Sequence, residues 1–267
     1  MGRTAVPVRW IPPCELDGAW QMAIDEALLD AVRSGGGPVL RFYGWQCPTL
    51  SLGFHQRLID PHWFTLVRSG TMELVRRPSG GRAVLHAGEL TYALIWPDPP
   101  LRRQEAYVAA CEWLRLGFAA LGLPLQFGQQ SSSLDRASCF ATSTAADLIH
   151  PQGGKRIGSA QLWRQGALLQ HGSILLEPPP ALWHAVFNLA PPQLPTLPLD
   201  RAGLMGHLRD WALSAWSQAE RAPGGVLVEQ PLSAVELERI AERVPRYRVE
   251  ESMGAATSPV LTMPRAT

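Results

Sequence analysis

Lysine occurs once in this chain of 267 residues, at Lys155 in the string GGKRIGSAQ, although lysine and arginine together number 24. Arginine is permanently charged and planar, whereas lysine is a compact cation whose pKa moves with its surroundings. A lysine kept in a chain otherwise written with arginine suits a site that steadies a developing negative charge or lowers the pKa of a thiol. Cys139 stands sixteen residues earlier, in CFATSTAADLIHPQGG, behind the polar run SSSLDRAS. If a turn brings the two together, the ammonium favours the thiolate, the form that attacks acyl groups. The competing reading of the spacing alone is a chance lysine on a solvated hairpin and a small buried cysteine.

Two further strings carry chemistry-bearing residues. RRPSGGRAVLHAGELTY, residues 76–92, sets Arg76, Arg77 and Ser79 ahead of Gly80-Gly81, with His86 behind. Paired glycines let backbone N–H groups approach a ligand, and the arginines suit phosphate or carboxylate. A plain glycine turn between strands explains the glycines equally well. LLQHGSILLEP places His171 in an otherwise apolar strand beside Gly172, which hints at close approach of a ligand or backbone. A serine nucleophile is a poorer fit, because no G-x-S-x-G elbow is present. The cysteines Cys14, Cys47, Cys111 and Cys139 have no zinc-like spacing, so no metal is expected, and free thiols suit a cytoplasmic protein. Cys111 falls on the apolar side of a helical pattern.

The elements that must position these residues follow from periodicity and punctuation. Residues 16–37 read as a helix: Trp20, Ala23, Ile24, Ala27, Leu28 and Ala31 recur at helical spacing, with Asp17 as cap and Gly35 to Gly37 as terminator. VLRFYGW, TLSLGF, MELVRR and ELTYALIWP read as strands. A second long helix runs from Gln104 to Leu121. KRIGSAQLW and ALLQHGSILLEP, joined by a turn at residues 164–166, form a β-hairpin. Helices follow at 181–188 and 200–220, and Ser233 and Glu236 supply a capping box for a last one. Without a regular βαβ rhythm the mixture argues an α+β fold.

Formal net charge is +1, so no polybasic surface calls for nucleic acid. No run of 18 apolar residues and no signal-like leader is present, so neither membrane insertion nor secretion is expected.

RRPSGGRAVLHAGELTY and GGKRIGSAQLWRQGALLQHGSILLEP resemble the two signature blocks of the biotin/lipoate protein ligase superfamily, and the likeness runs from about Trp20 to Val244. The resemblance implies a mixed β-sheet flanked by helices. A catalytic domain at 14–249 is expected behind an N-terminal extension at 1–13, and the end of the chain, without periodicity, reads as a disordered tail at 250–267. GRAVLH and ELTY, together with Cys139-Phe140 ahead of the lysine motif, are similar to the ligase-like octanoyltransferases rather than the ATP-dependent lipoate ligases. On that likeness Cys139 is the acyl-thioester nucleophile and Lys155 the group that lowers its pKa and polarises the acyl carbonyl. Arg76, Arg77, Ser79, Gly80, Gly81 and His86 line the acyl or carrier-arm pocket. Gly158, Ser159, Ala160, Gln161, His171 and Gly172 form the opposite wall. The implied donor is octanoyl-acyl carrier protein, for which Arg102, Arg103 and Arg136 are docking candidates, and the acceptor is a lipoyl-domain lysine. No cofactor is implied. An ATP-dependent ligase, an amidotransferase between lipoyl domains and a non-catalytic acyl or lipoyl-domain binder remain alternatives. Ala87, where Asp is common, and Trp163, where Arg is frequent, depart from the family pattern.

Overall fold

Residues 6–128, 147–219 and 222–251 are described by the computed structural model of the chain. Helix α1 (Gly18–Arg33) begins where the Asp17 carboxylate accepts from the Trp20 amide at 2.9 Å, and its inward stripe includes Met22, Ala23, Ile24, Leu28 and Leu29. Helices α3 (Arg103–Ala120), α4 (Pro180–Phe187) and α5 (Arg201–Gln218) stand where the apolar spacing placed them. Helix α6 (Ala234–Ala241) opens on the Ser233/Glu236 capping box. Helix α2 (Pro61–Arg68) is an addition to the sequence reading; Asp60 caps it and Pro61 occupies its first turn, where a missing N–H costs nothing.

Eight strands form the main sheet in the order β11 (Val226–Glu229), β1 (Pro7–Leu16), β2 (Val39–Trp45), β6 (Glu89–Trp96), β10 (Ala167–Leu175), β9 (Lys155–Arg164), β8 (Leu148–Ile149) and β7 (Gln126–Phe127). A second sheet of β4 (Glu73–Arg76), β3 (Thr49–Leu52) and β5 (Val84–His86) stands apart from it. Strand β1 runs parallel to both of its neighbours and the remaining main-sheet pairs are antiparallel, so the sheet is mixed, as expected. The boundary drawn after residue 13 falls inside β1. Prolines 12 and 13 conceal that strand, because they cannot donate to a ladder. They sit where the β1–β2 register shifts between Ile11 and Cys14. Of the expected tail, 252–267 lies outside the described residues.

Both faces of the sheet are covered. Phe42, Tyr92, Leu94, Ile157 and Ile174 pack with Trp113, Phe118 and Leu208 of α3 and α5 on one side. Val39, Tyr43, Ala93, Ile95 and Leu169 pack against α1 and Ile240 of α6 on the other. The hairpin turn at Gln165-Gly166 has positive φ at both residues (45° and 86°), the backbone that matches strand twist in a two-residue loop. That short turn aligns the second signature block: Ser173 lies opposite Gly158, Gly172 opposite Ser159, His171 opposite Ala160 and Gln170 opposite Gln161. On the far side β10 pairs with β6, placing Leu175 opposite Glu89.

Candidate active site

Lys155 opens β9 directly after Gly153 and Gly154, whose φ values of 97° and 85° are the left-handed turn that glycine permits. Its ammonium lies 2.9 Å from the Asp147 carboxylate, and both side chains are almost completely buried. A charge pair this far from water persists when each partner answers the other. Cys139 falls within 129–146 and Arg136 with it, outside the described residues, so the geometry stops at the lysine's side of the expected dyad.

The glycine turn of the first block is held by buried donors. Arg77 donates to the carbonyls of Ser51 (2.8 Å), Gly80 (2.8 Å) and Arg82 (2.6 Å). Gly81 has φ of 98°, and a Cβ there would lie 2.7 Å from the Arg77 guanidinium. A Cβ on Gly80 would meet nothing within 4 Å among the described residues. Arg76 turns instead to the Gly53 and Gln56 carbonyls, and burial lowers its pKa. Both arginines, expected along a ligand pocket, are thus directed at backbone carbonyls of the surrounding loops.

Two histidines reach this turn through hydroxyls. His171 meets Ser79 through Nε2 at 2.5 Å and the Asp25 carboxylate through Nδ1 at 2.8 Å. Asp25 also accepts from Arg41 (3.0 Å) and from the Tyr43 hydroxyl (3.0 Å), and Arg41 in turn donates to Gln21. Burial and the Asp25 charge hold the Tyr43 pKa well above its ordinary value, so the phenol stays a donor. Asp25 is therefore an acceptor throughout, which places a proton on His171 Nδ1 and leaves Nε2 to face the Ser79 hydroxyl. His86 repeats the arrangement in the second sheet: Nε2 lies 2.8 Å from Ser51 Oγ and Nδ1 2.8 Å from Glu89. Trp45 stacks on His86 with ring centroids 3.8 Å apart and donates to Glu89. Arg77 also touches Ser51 Oγ, so this second relay is tied to the same turn.

The opposite wall is less open than its composition suggested. A Cβ on Gly172 would lie 2.6 Å from the Tyr92 ring, so this glycine admits a tyrosine. Tyr92 bonds Ser159 (2.8 Å), Gln170 donates to Tyr92 (2.9 Å), and Gln161 donates to Gln170 (2.8 Å), a polar chain through the sheet interior. Ser159, Gln161 and Gly172 are engaged there, while Gly158 and Ala160 stand in the β9 ladder beside them. Cys111 lies against Gln170, and burial pushes its thiol up to about 12, which leaves it a packing residue as the sequence suggested.

A cleft of about 680 Å³ opens at the end of the sheet where β10 finishes and β6 begins, with Trp45, His86, Leu176, Leu194, Leu197 and Arg201 among its lining. Lys155 belongs to the same end. Leu175 lies opposite Glu89 on one side, and on the other the preceding Ile174 pairs with Ile157, which sets Leu175 beside Arg156, the residue after the lysine. Neighbouring strands stand about 4.8 Å apart, so Glu89 and Arg156 are on the order of 10 Å apart across β10. Among the described residues no cluster of metal-ligating side chains is present and no helix is long and apolar enough to cross a membrane.

Asp147, Asp25, Ser51 and Glu89 escaped the sequence reading. Asp25 left a signal: it lies four residues after Gln21 and four before Leu29, on the buried stripe of α1, where an unpartnered carboxylate would be costly. Asp147, between two alanines and a two-residue strand, left none.

Residues 17–191 match the lipoyl protein ligase A/B catalytic domain. Among curated proteins the chain is similar to the octanoyltransferase LipM of Carboxydothermus hydrogenoformans, 43% identical over 176 residues, covering 63% of this chain and 65% of that protein. The octanoyltransferase LipM of Bacillus subtilis is 38% identical over 182 residues, with the same coverages. The match thus spans about two thirds of the length of these relatives. Among solved structures, lipoate-protein ligase A bound with ATP superposes with a TM-score of 0.72 at 19% identity, over 93% of this chain and 99% of that one. A bi-partite lipoate protein ligase from Thermoplasma acidophilum, described with its E2 lipoyl domain, gives 0.71 at 18% identity over 97% and 100%. These structural likenesses carry the fold, and with the match over 17–191, well over half of the sequence, the chain belongs to the lipoyl protein ligase A/B catalytic domain family.

Proposed function

We propose that this protein is an octanoyltransferase of lipoate biosynthesis, moving octanoyl from octanoyl-acyl carrier protein to the lysine of a lipoyl domain through a thioester on Cys139. The observation that carries this reading is the 43% identity to an octanoyltransferase over 176 residues, with both signature blocks inside the family match at 17–191. The buried Lys155 supports it from the side of chemistry. An ammonium has three donors, so one hydrogen bond to Asp147 is compatible with another aimed at a thiolate or an oxyanion. The Asp147 charge offsets much of the field that Lys155 would exert on a thiol. In this reading its larger part is therefore that of a fixed donor to the acyl oxygen, a contact whose loss costs about 10²–10³ in rate.

In the first step the Cys139 thiolate attacks the carrier thioester, the carrier's sulfur leaves, and an enzyme thioester forms. Thioester exchange is nearly isoenergetic, so ATP is not required. In the second step the lipoyl-domain amine takes the acyl group. The leucine-walled cleft beside Trp45 and His86 is large enough for an eight-carbon chain. Arg102 at the mouth of α3 is strongly exposed and suits an acidic carrier surface, with Arg103 beside it at the helix start. A cytoplasmic setting fits such a carrier.

The test is intact-protein mass spectrometry after mixing the enzyme with octanoyl-acyl carrier protein without ATP. A hydroxylamine-labile gain of one octanoyl group on the wild type and none on Cys139→Ser is the expected result. No adduct, with lipoyl-domain acylation appearing when ATP and free acid are supplied, would assign the chain to the ligases. An adduct from an octanoylated lipoyl domain and none from the carrier would make it an amidotransferase.

A further inference from the structure

Arg156 is fully buried, and no carboxylate among the described residues pairs with it. Burial lowers its pKa to about 10. A charge placed there persists when hydrogen bonds stand in for the lost water. The guanidinium donates to the Leu175 carbonyl (2.7 Å), to His150 Nε2 (3.1 Å) and to the Pro195 carbonyl. These partners belong to three segments: the end of β10, the residue after β8, and residues 189–199. The last, LAPPQLPTLPL, joins α4 to α5 with neither helix nor strand, so no ladder of its own fixes it. The glycine turn ahead of Lys155 presses on it as well, because a Cβ on Gly154 would lie 2.6 Å from the Gln193 carbonyl oxygen. From this clasped backbone Leu194, Thr196, Leu197 and Leu199 line the cleft of about 680 Å³.

We propose that Arg156, set in place by His150, is a positioning residue of the substrate cleft: it holds residues 189–199 as the wall that receives the acyl-pantetheine arm of the donor. The proposal rests on the octanoyltransferase reading above and adds to it what shapes the donor's site. A thioester arm of this kind is long, largely apolar and interrupted by amides. The cleft has the size that takes a drug-sized ligand, more than an unbranched eight-carbon chain fills. Its leucines suit the carbon chain, and Thr196 and Gln46 supply partners for amides. His150 accepts from Arg156 as the neutral ring. Pro124 has no N–H, so the histidine's hydrogen bond to that residue's backbone is donated, which puts the proton on Nδ1 and leaves Nε2 to the guanidinium. Burial and the Arg156 charge hold the His150 pKa below its ordinary 6.5, so the clasp is intact at neutral pH and loosens in acid. The other charges on these strands are Asp147 and Lys155, which pair with each other.

The test compares wild type, His150→Leu and His150→Gln in steady-state transfer from octanoyl-acyl carrier protein. Leucine removes the acceptor for Arg156, whereas the glutamine amide oxygen can replace it without titrating. The expected result for His150→Leu is a donor KM raised about tenfold with kcat little changed, the scale of one lost hydrogen bond to a charged group. His150→Gln should keep the wild-type KM and lack the rise in KM that wild type shows between about pH 8 and pH 5. Hydrogen exchange on Cys139→Ser, with S-octanoyl-pantetheine as the probe, reads the wall without turnover and without a change at His150. Slower exchange at residues 193–199 when the probe is added is expected. An unchanged donor KM in His150→Leu, an equal loss in His150→Gln, or no protection of 193–199 would each overturn the proposal. A wild type that takes no octanoyl from the carrier would instead remove the acyltransfer reading, and protection of 193–199 by the probe would then still support the wall.

Discussion

Asp25–His171–Ser79 and Glu89–His86–Ser51 are made of the same three kinds of residue at closely similar distances, yet they are anchored differently. Asp25 sits under a fully buried arginine and a tyrosine hydroxyl, and its histidine ends on a serine of the glycine turn. Glu89 has Trp45 and Thr91 as partners, its Oε2 has no hydrogen-bond partner among the described residues, and its histidine ends on a core strand. Both converge on the turn, one directly and one through Arg77. The difference teaches that a serine–histidine–carboxylate geometry does not by itself mark chemistry. What distinguishes the relays is where the hydroxyl stands and whether a cation fixes the carboxylate as an anion.

The largest effect should come from breaking the anchors. Asp25→Ala strands Arg41 in the core, and removing one partner of a buried pair costs about 3–5 kcal/mol. Glu89→Gln strands no cation and should cost about 1–3 kcal/mol, the range for a disturbed buried hydrogen bond. Urea unfolding of the two variants measures the gap, and an equal or reversed order would contradict the distinction. The turn between the relays offers a sharper contrast. Gly81→Ala forces a side chain into left-handed backbone and against Arg77, worth about 1–3 kcal/mol, whereas Gly80→Ala should stay within about 0.5 kcal/mol. Thermal unfolding of the two variants side by side would show it.

The smallest effect concerns a carboxylate without a histidine. Arg9 clamps Glu236 at 2.6 Å and, with Ser233, lowers its pKa from 4.5 to about 2 against the opposing effect of burial. A depressed folded-state pKa means that the unfolded chain binds the proton more readily. The stability from Glu236 is therefore complete above about pH 4.5 and lost as pH falls toward 2. Glu236→Gln should flatten that part of the acid limb and leave acyl transfer alone, which acid titration of both proteins would reveal.

Much of this architecture was legible from local signals. Asp17, the Ser233/Glu236 box and the glycine-marked hairpin each act within a few residues, so the helices at 18–33 and 234–241 and the β9–β10 pairing follow from neighbours alone. Strand β1 was hidden by its prolines and by partners distant in sequence, and β8 by its brevity, two residues paired with the nearby β9. At the site, the lysine and the two blocks stood out by residue type, and the Ser79–His171 contact joins those blocks across 92 positions. The carboxylates behind them did not stand out, because a counter-ion's value lies in what it touches. Asp147 becomes meaningful when the turn at Gly153-Gly154 returns Lys155 to it. Gly172 was the reverse case, where the expected close approach is made by Tyr92.

In the proposed acyl transfer the critical side chain is the one lysine that a chain rich in arginine has kept. The decisive measurement is the rate of octanoyl thioester formation on Cys139 in wild type and in Lys155→Arg, with thermal unfolding confirming that both proteins are folded. Arginine keeps the charge and loses the compact, positioned donor beside Asp147. The predicted result is a rate lower by about 10²–10³. Thioester formation at the wild-type rate in a folded Lys155→Arg protein would contradict the assignment of Lys155 to the chemistry.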